Sequence, residues 1–142
     1  VAAILTKMSN RIKHLLIIDD DSINNLVCQK KAERSGVVNR ITTCKNVEDA
    51  ITYLVETAKQ DADNMPEVIL LDINMPVHSG WDFLDAYRDK LDENTKNRIY
   101  ISMLTSSVNE EDICRANTYQ EVNAYNIKPV KEDVFHTISS SL

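Results

Sequence analysis

The chain has 142 residues, 43% hydrophobic and 27% charged, the composition of one ordinary soluble globular domain with a single core. Acidic residues outnumber basic ones by 22 to 16, for a net charge of −6. No clustered Lys and Arg suit a phosphate backbone, so nucleic acid is excluded as a partner. Three widely spaced cysteines, Cys28, Cys44 and Cys114, form no CxxC pair. They read as reduced, part-buried residues of a cytoplasmic protein, which excludes a disulfide framework and a zinc site.

In chain order, the apolar run Val1 to Leu5 is too short for a signal-peptide core or a membrane span. Residues 1–12 are expected to be an N-terminal extension to a domain covering 13–142. Leu15-Leu16-Ile17-Ile18 reads as a buried strand ending in Asp19-Asp20-Asp21. Ser22 offers an N-cap for a helix to about Ser35, stopped by Gly36, with Ile23, Leu26 and Val27 as its apolar face. Residues 37–44 suit a short strand, with Ile41, Thr42 and Thr43 favouring extended backbone. Asn46 then caps the clearest helix, on which Val47, Ala50, Ile51, Leu54, Val55 and Ala58 follow a 3.6-residue period. Gln60 to Asn64 is polar and reads as a loop.

The central stretch is Glu67-Val68-Ile69-Leu70-Leu71-Asp72-Ile73-Asn74-Met75-Pro76. Its near-continuous apolar run suits a strand buried on both faces of a parallel sheet, and Pro76 cannot continue the ladder. Ser79 or Gly80 opens a helix carrying Phe83, Leu84, Tyr87 and Leu91. Asp92 to Asn97 is wholly polar and is expected to be a loop. Residues 99–104 form the fourth strand, ending in Thr105-Ser106-Ser107, and Asn109 starts a short, polar helix with Glu110, Glu111 and Asp112 in its first turn. Residues 122–127 are the fifth strand, broken by Pro129, and Val130, Val134, Phe135 and Ile138 stripe a last helix.

Five strands alternating with five helices predict an α/β fold, a doubly wound five-stranded parallel sheet of flavodoxin-like order 2-1-3-4-5. In that order Asp19, Asp20, Asp72, Thr105 and Lys128 converge at the carboxyl ends of neighbouring strands, where such sheets bind ligands. Two like charges 4 Å apart repel by about 4 kcal/mol at an effective dielectric of 20. A hard divalent cation relieves that repulsion, and Mg²⁺ takes one or two carboxylates plus waters and phosphate oxygens. Lys128 and Thr105 would complete a site for a metal-bound phosphoryl group. His14, His78 and His136 fall on separate elements and are expected at the surface; Met75 and Trp81 are expected to pack.

Four motifs in register carry a resemblance: Leu15-Leu16-Ile17-Ile18-Asp19-Asp20; Leu70-Leu71-Asp72-Ile73-Asn74-Met75-Pro76 followed by Gly80; Leu104-Thr105-Ser106; and Tyr125-Asn126-Ile127-Lys128-Pro129. Over about residues 13–138 the chain resembles the receiver domain of two-component response regulators, here as a stand-alone, chemotaxis-type regulator. The resemblance implies that Asp72 takes a phosphoryl group from a phosphohistidine on a histidine kinase or phosphotransfer protein. It further implies that Mg²⁺ is bound by Asp20, Asp72 and the backbone carbonyl of Asn74, with Asp19 helping through a water. Lys128 would pair with Asp72 and then with the phosphoryl oxygens across a cis Lys128–Pro129 bond. Thr105 would bond the phosphoryl group, and Tyr125 would change rotamer. A downstream protein would read the helix at 109–118, the strand at 122–127 and the helix at 130–142, with the chain a monomer or a phosphorylation-linked dimer and neither nucleic acid nor membrane involved. Ser106 stands where alanine is commoner, which keeps a small residue there, and the polar helix after Thr105 sets the output surface apart.

The rival is an enzyme, a phosphatase of haloacid-dehalogenase type with Asp19 as nucleophile and Asp21 as general acid. It ranks lower, because Glu132 and Asp133 fall on the last helix where that family needs a strand-end acidic pair, and because it leaves Asp72-Ile73-Asn74-Met75-Pro76 unexplained.

Overall fold

Strands buried on both faces need cover from helices on both sides, and the chain supplies it by alternation. The computed structural model describes residues 11–142; of the expected extension, residues 1–10 lie outside them. The order is β1 (Ile12–Ile18), α1 (Ser22–Ser35), β2 (Val38–Cys44), α2 (Val47–Gln60), β3 (Val68–Asp72), α3 (Gly80–Lys90), β4 (Tyr100–Thr105), α4 (Glu110–Ala116), β5 (Val122–Ile127) and α5 (Glu132–Ser141). All strand pairs are parallel and the sheet order is β2-β1-β3-β4-β5, as expected. Among the described residues no helix is long and apolar enough to cross a membrane.

Two apolar layers flank the sheet. Leu16, Ile18, Ile69 and Leu71 point into one layer with Leu54 of α2 and Phe83, Leu84 and Tyr87 of α3. Leu15, Ile17 and Leu70 point into the other with Cys28 and Ala32 of α1 and Phe135 and Ile138 of α5. Alternate residues of each strand serve opposite layers, the period-two geometry of a pleated strand. Met75 and Trp81 pack as expected.

Several expectations need correction, the first at the loop expected over Gln60 to Asn64, where Gln60 still belongs to α2 and Ala62–Asn64 forms a short 3-10 turn. The cap of α1 is Asp21, not Ser22: its carboxylate accepts from the amides of Ile23 (2.9 Å) and Asn24 (3.3 Å). Gly36 does end the helix, at φ 74°. The apolar face of α1 is also reversed. Ile23 is 73% exposed, Leu26 and Val27 are exposed too, and the buried stripe is Asn25, Cys28 and Ala32. The entry from β1 fixes the helix phase, and small residues on that stripe let α1 lie close to the sheet and α5.

The polar segment after α3 holds a single helical turn, Glu93–Lys96, because the Asp92 carboxylate caps the amide of Thr95 at 2.8 Å. His14 is buried, not superficial. Its Nδ1 lies 2.8 Å from the carbonyl of Asn64 and its Nε2 2.7 Å from Thr42 Oγ1, so both nitrogens are satisfied. Of the cysteines expected to be part-buried, Cys44 is so, Cys28 is buried and Cys114 is exposed.

The short helix α4 has little apolar surface of its own. It is held through cation–π and aromatic contacts, with the Arg115 guanidinium 4.6 Å from the Trp81 ring centroid and Trp81 stacked on Tyr119 at 5.9 Å.

Candidate functional site

The strand order reverses direction between β1 and β3, the switch point at which open α/β sheets bind ligands. Register brings the expected residues to that point. Ile18 lies opposite Leu71, Asp72 opposite Leu104 and Thr105 opposite Ile127. Main-chain bonds carry the ladder past the strand ends: Asp19 N–H donates to Cys44, Ile73 N–H to Leu104 and Lys128 N–H to Thr105, at 3.1, 3.0 and 2.7 Å. The backbone that carries Asp19 and Lys128 is therefore held by one neighbouring strand each, and that of Asp72 by its pairing with Leu104.

Carboxylate oxygens of Asp19, Asp20 and Asp72 all lie within 4.8 Å of one another. Asp19 and Asp72 are buried and Asp20 is exposed. Lys128 bridges the two buried acids, with Nζ 2.7 Å from Asp19 Oδ2 and 3.1 Å from Asp72 Oδ1. The sequence pointed to the second contact; the first depends on the path of the loop after β5, whose Lys128–Pro129 bond is cis. Burial, with the charge of Asp19 second, pushes the Asp72 carboxyl up to about 6, against the pull of Lys128. For Lys128, burial opposes the charge, but the bonds to Asp19 and Asp72 outweigh it and hold the ammonium above its ordinary range.

One lysine does not neutralise three carboxylates, and the donor set is all oxygen. This chemistry fits a hard divalent cation such as Mg²⁺. Asn74 follows β3 and its main-chain N–H donates to Asp72 Oδ1 at 3.3 Å. Thr105 is buried, and its hydroxyl closes its own loop, donating to the Ser107 carbonyl at 2.9 Å. Tyr125 packs against the layer that holds α3, its hydroxyl buried without a partner. Asp21, the general acid of the rival reading, caps α1. Glu132 and Asp133 lie in the first turn of α5, as the sequence placed them.

The loop between Asp72 and α3 contains two backbone constraints. A Cβ on Gly80 would stand 2.6 Å from the Asp72 carbonyl oxygen and 3.0 Å from Ile73 Cα, so only glycine lets α3 start against the end of β3. Gly80→Ala is expected to cost about 1–3 kcal/mol by overpacking against backbone, read as a lower urea midpoint. An unchanged midpoint would show that the loop yields. Val77 is 92% exposed at φ 67°, a left-handed conformation that a β-branched residue resists. Val77→Asn is expected to add about 1 kcal/mol of stability, since Asn visits this region readily. A fall in melting temperature would contradict that strain.

Two residues had no sequence signal as part of the site. Asn25 Nδ2 donates to the Asp19 carbonyl at 2.9 Å, and Lys31 Nζ donates to the Val130 carbonyl at 2.8 Å.

Comparison with known proteins agrees with this geometry. The sequence pattern of the family described as the response regulator receiver domain matches residues 15–139. Response regulator Rcp1 of Synechocystis is 27% identical over 117 residues, covering 82% of this chain and 77% of its own. The crystal structure of a two-component response regulator from Cytophaga hutchinsonii superposes with a TM-score of 0.86 at 27% identity, covering 92% of this chain and 96% of its own. The phosphorylated cyanobacterial phytochrome response regulator RcpA superposes with a TM-score of 0.68 at 25% identity, covering 92% and 90%. A flavodoxin-like sheet, an acidic triad astride its switch point and a family pattern over most of the length lead to one conclusion: the chain belongs to the response regulator receiver domain family.

Proposed function

We propose that Asp72 is a phosphoryl acceptor and that the chain works as a signalling domain. The observation that carries this reading is the Asp72 carboxylate itself. It is buried at the end of the central strand, beside two further acids and 3.1 Å from a lysine that can neutralise incoming phosphoryl oxygens. In the reaction an Asp72 oxygen bonds to phosphorus while the bond from phosphorus to the donor's histidine nitrogen breaks, and the imidazole leaves with the electron pair. Mg²⁺, held by Asp19, Asp20, Asp72 and the Asn74 carbonyl, would neutralise the crowded carboxylates and the phosphoryl oxygens.

Lys128 orients the carboxylate before transfer and the phosphoryl group after it. Thr105 gives up its bond to Ser107 to meet the phosphoryl oxygens, which draws the end of β4 inward and resets the packing of Tyr125 on β5. The surface read by a downstream protein is then α4, β5 and α5, as monomer or phosphorylation-linked dimer. The donor is a histidine kinase or phosphotransfer protein. Capture of a related structure in phosphorylated form supports this chemistry. A cytoplasmic location follows from such a donor.

Intact-mass measurement with acetyl phosphate and Mg²⁺ tests the reading. The wild type is expected to gain one phosphoryl group and Asp72→Asn none. Uptake that survives Asp72→Asn and disappears in Asp19→Asn would transfer the role to Asp19 and restore the dehalogenase-type scheme.

A further inference from the structure

Asp19 and Lys128 stand on the segments that leave β1 and β5, and one helix holds both from behind. Asn25, buried on the inward face of α1, donates through Nδ2 to the main-chain carbonyl of Asp19. Farther along the same helix, the Lys31 ammonium donates to the main-chain carbonyl of Val130, 99 positions away in sequence. Val130 lies two residues beyond Lys128 and is buried in the same apolar layer as Cys28 and Ala32 of α1.

These bonds are not the ones that stability alone would select. The Lys31 ammonium, only half-buried on α1, donates to a neutral carbonyl. Asn25 leaves its Oδ1 buried without a partner, a cost that an apolar residue on this stripe would avoid. Natural proteins break local rules of this kind chiefly where function needs a fixed geometry. The charges also converge. Burial and then Asp19 push the Cys28 thiol up to about 12, while Lys31 and Lys128 pull the other way, so all three charged groups act on one buried sulfur.

We propose that Lys31 and Asn25 are positioning residues of the acceptor site: Lys31 fixes the loop that aims Lys128 at Asp72, and Asn25 fixes the main chain that aims Asp19. This rests on the reading of Asp72 as acceptor. With Lys31 removed, the Lys128 loop keeps the apolar packing of Val130 but loses its hydrogen bond to α1, and the ammonium samples positions off the carboxylate. Errors of this size in alignment cost rate more than they cost affinity.

The test follows phosphoryl uptake by the full chain from acetyl phosphate, with Mg²⁺ affinity read from the fluorescence of Trp81 and with thermal melts. Lys31→Met is expected to slow uptake about tenfold or more, with Mg²⁺ affinity and melting temperature near wild type. Lys31→Arg keeps a donor for the Val130 carbonyl and is expected to recover most of the rate. Asn25→Ala is expected to weaken Mg²⁺ binding, because Asp19 loses its anchor. Uptake by Lys31→Met within about twofold of wild type overturns the role of Lys31. So does a slow variant that Lys31→Arg fails to rescue and whose melting temperature falls in step, the mark of packing alone. Wild-type Mg²⁺ affinity in Asn25→Ala overturns the role of Asn25. Asp72→Asn runs alongside: if it still takes up a phosphoryl group, the acceptor reading fails and this inference falls with it. Uptake confined to Asp72 with an unaffected Lys31→Met refutes the positioning role by itself.

Discussion

Lys128→Met is expected to destabilise the metal-free fold by about 3–5 kcal/mol near neutral pH, the usual cost of removing one partner from a buried ion pair. Lys128 faces Asp19 and Asp72 at 2.7 and 3.1 Å, and both carboxylates are buried. Without the ammonium the two buried carboxylates confront each other with no cation between them. The fold can escape part of the cost by holding a proton on Asp72, whose carboxyl already sits at about 6 with the lysine present. Loss of Lys128 raises it further. The unfolded chain releases this proton near 3.8, so the penalty is largest at high pH and shrinks as pH falls into the acid range. Urea unfolding with a chelator at several pH values measures it. A loss under about 1 kcal/mol, or one that ignores pH, would mean the pair is screened like a surface bridge.

Asp72→Asn is expected to act in the opposite direction, stabilising the metal-free protein by up to about 3 kcal/mol above pH 6. The figure follows from the gap between about 6 in the fold and the ordinary 3.8, at about 1.36 kcal/mol per pH unit. Well below 3.8 both the folded and the unfolded chain hold the proton on Asp72 and nothing is gained or lost. Between 3.8 and about 6 the unfolded chain ionises first, so rising pH weakens the wild type; above 6 the full penalty is present. The variant should therefore outlast wild type by about 3 kcal/mol at pH 7.5 and match it only at about pH 2.5, well below 3.8. Thermal melts in chelator decide it, and equal melting temperatures at both pH values would sink the argument. Bound Mg²⁺ opposes the same penalty and should narrow the gap, by about 2.7 kcal/mol at a hundred times its dissociation constant. The two substitutions share a contact, so in the double variant their effects should not add.

The sheet was legible in the sequence because its central strands are almost wholly apolar. β3 is buried at every position, and runs of that kind have few alternatives once turn residues bound them. α2 was legible because six apolar residues outline one face. α1 was not: its inward stripe is Asn25, Cys28 and Ala32, while its larger apolar residues face outward, so periodicity alone gave the wrong phase. Polar residues at strand ends marked Asp19, Asp20, Asp72, Thr105 and Lys128, because topology brings strand ends together whatever the loops do. Contacts that depend on loop paths left no trace, among them the bond from Lys128 to Asp19 and those made by Asn25 and Lys31. The environment of His14 was hidden for the same reason, since its partners lie 28 and 50 positions away.

His14 gives the opposite end of the sheet a titration of its own. Its Nδ1 faces a carbonyl oxygen and carries a proton toward it, and in the neutral ring Nε2 accepts from the Thr42 hydroxyl. Burial, aided by the charge of Arg40, lowers its pKa from 6.5 despite the bond to Asn64. As pH falls below 6.5 the unfolded chain takes up a proton that the folded ring declines, and stability drains from this edge. Over the more acidic part of the same interval, protonation of Asp72 relieves repulsion at the other edge. Acidification thus loosens the sheet where its strands begin and eases it where they end. The two responses oppose each other, so mild acid moves the stability of the whole sheet less than the Asp72 end alone would move it.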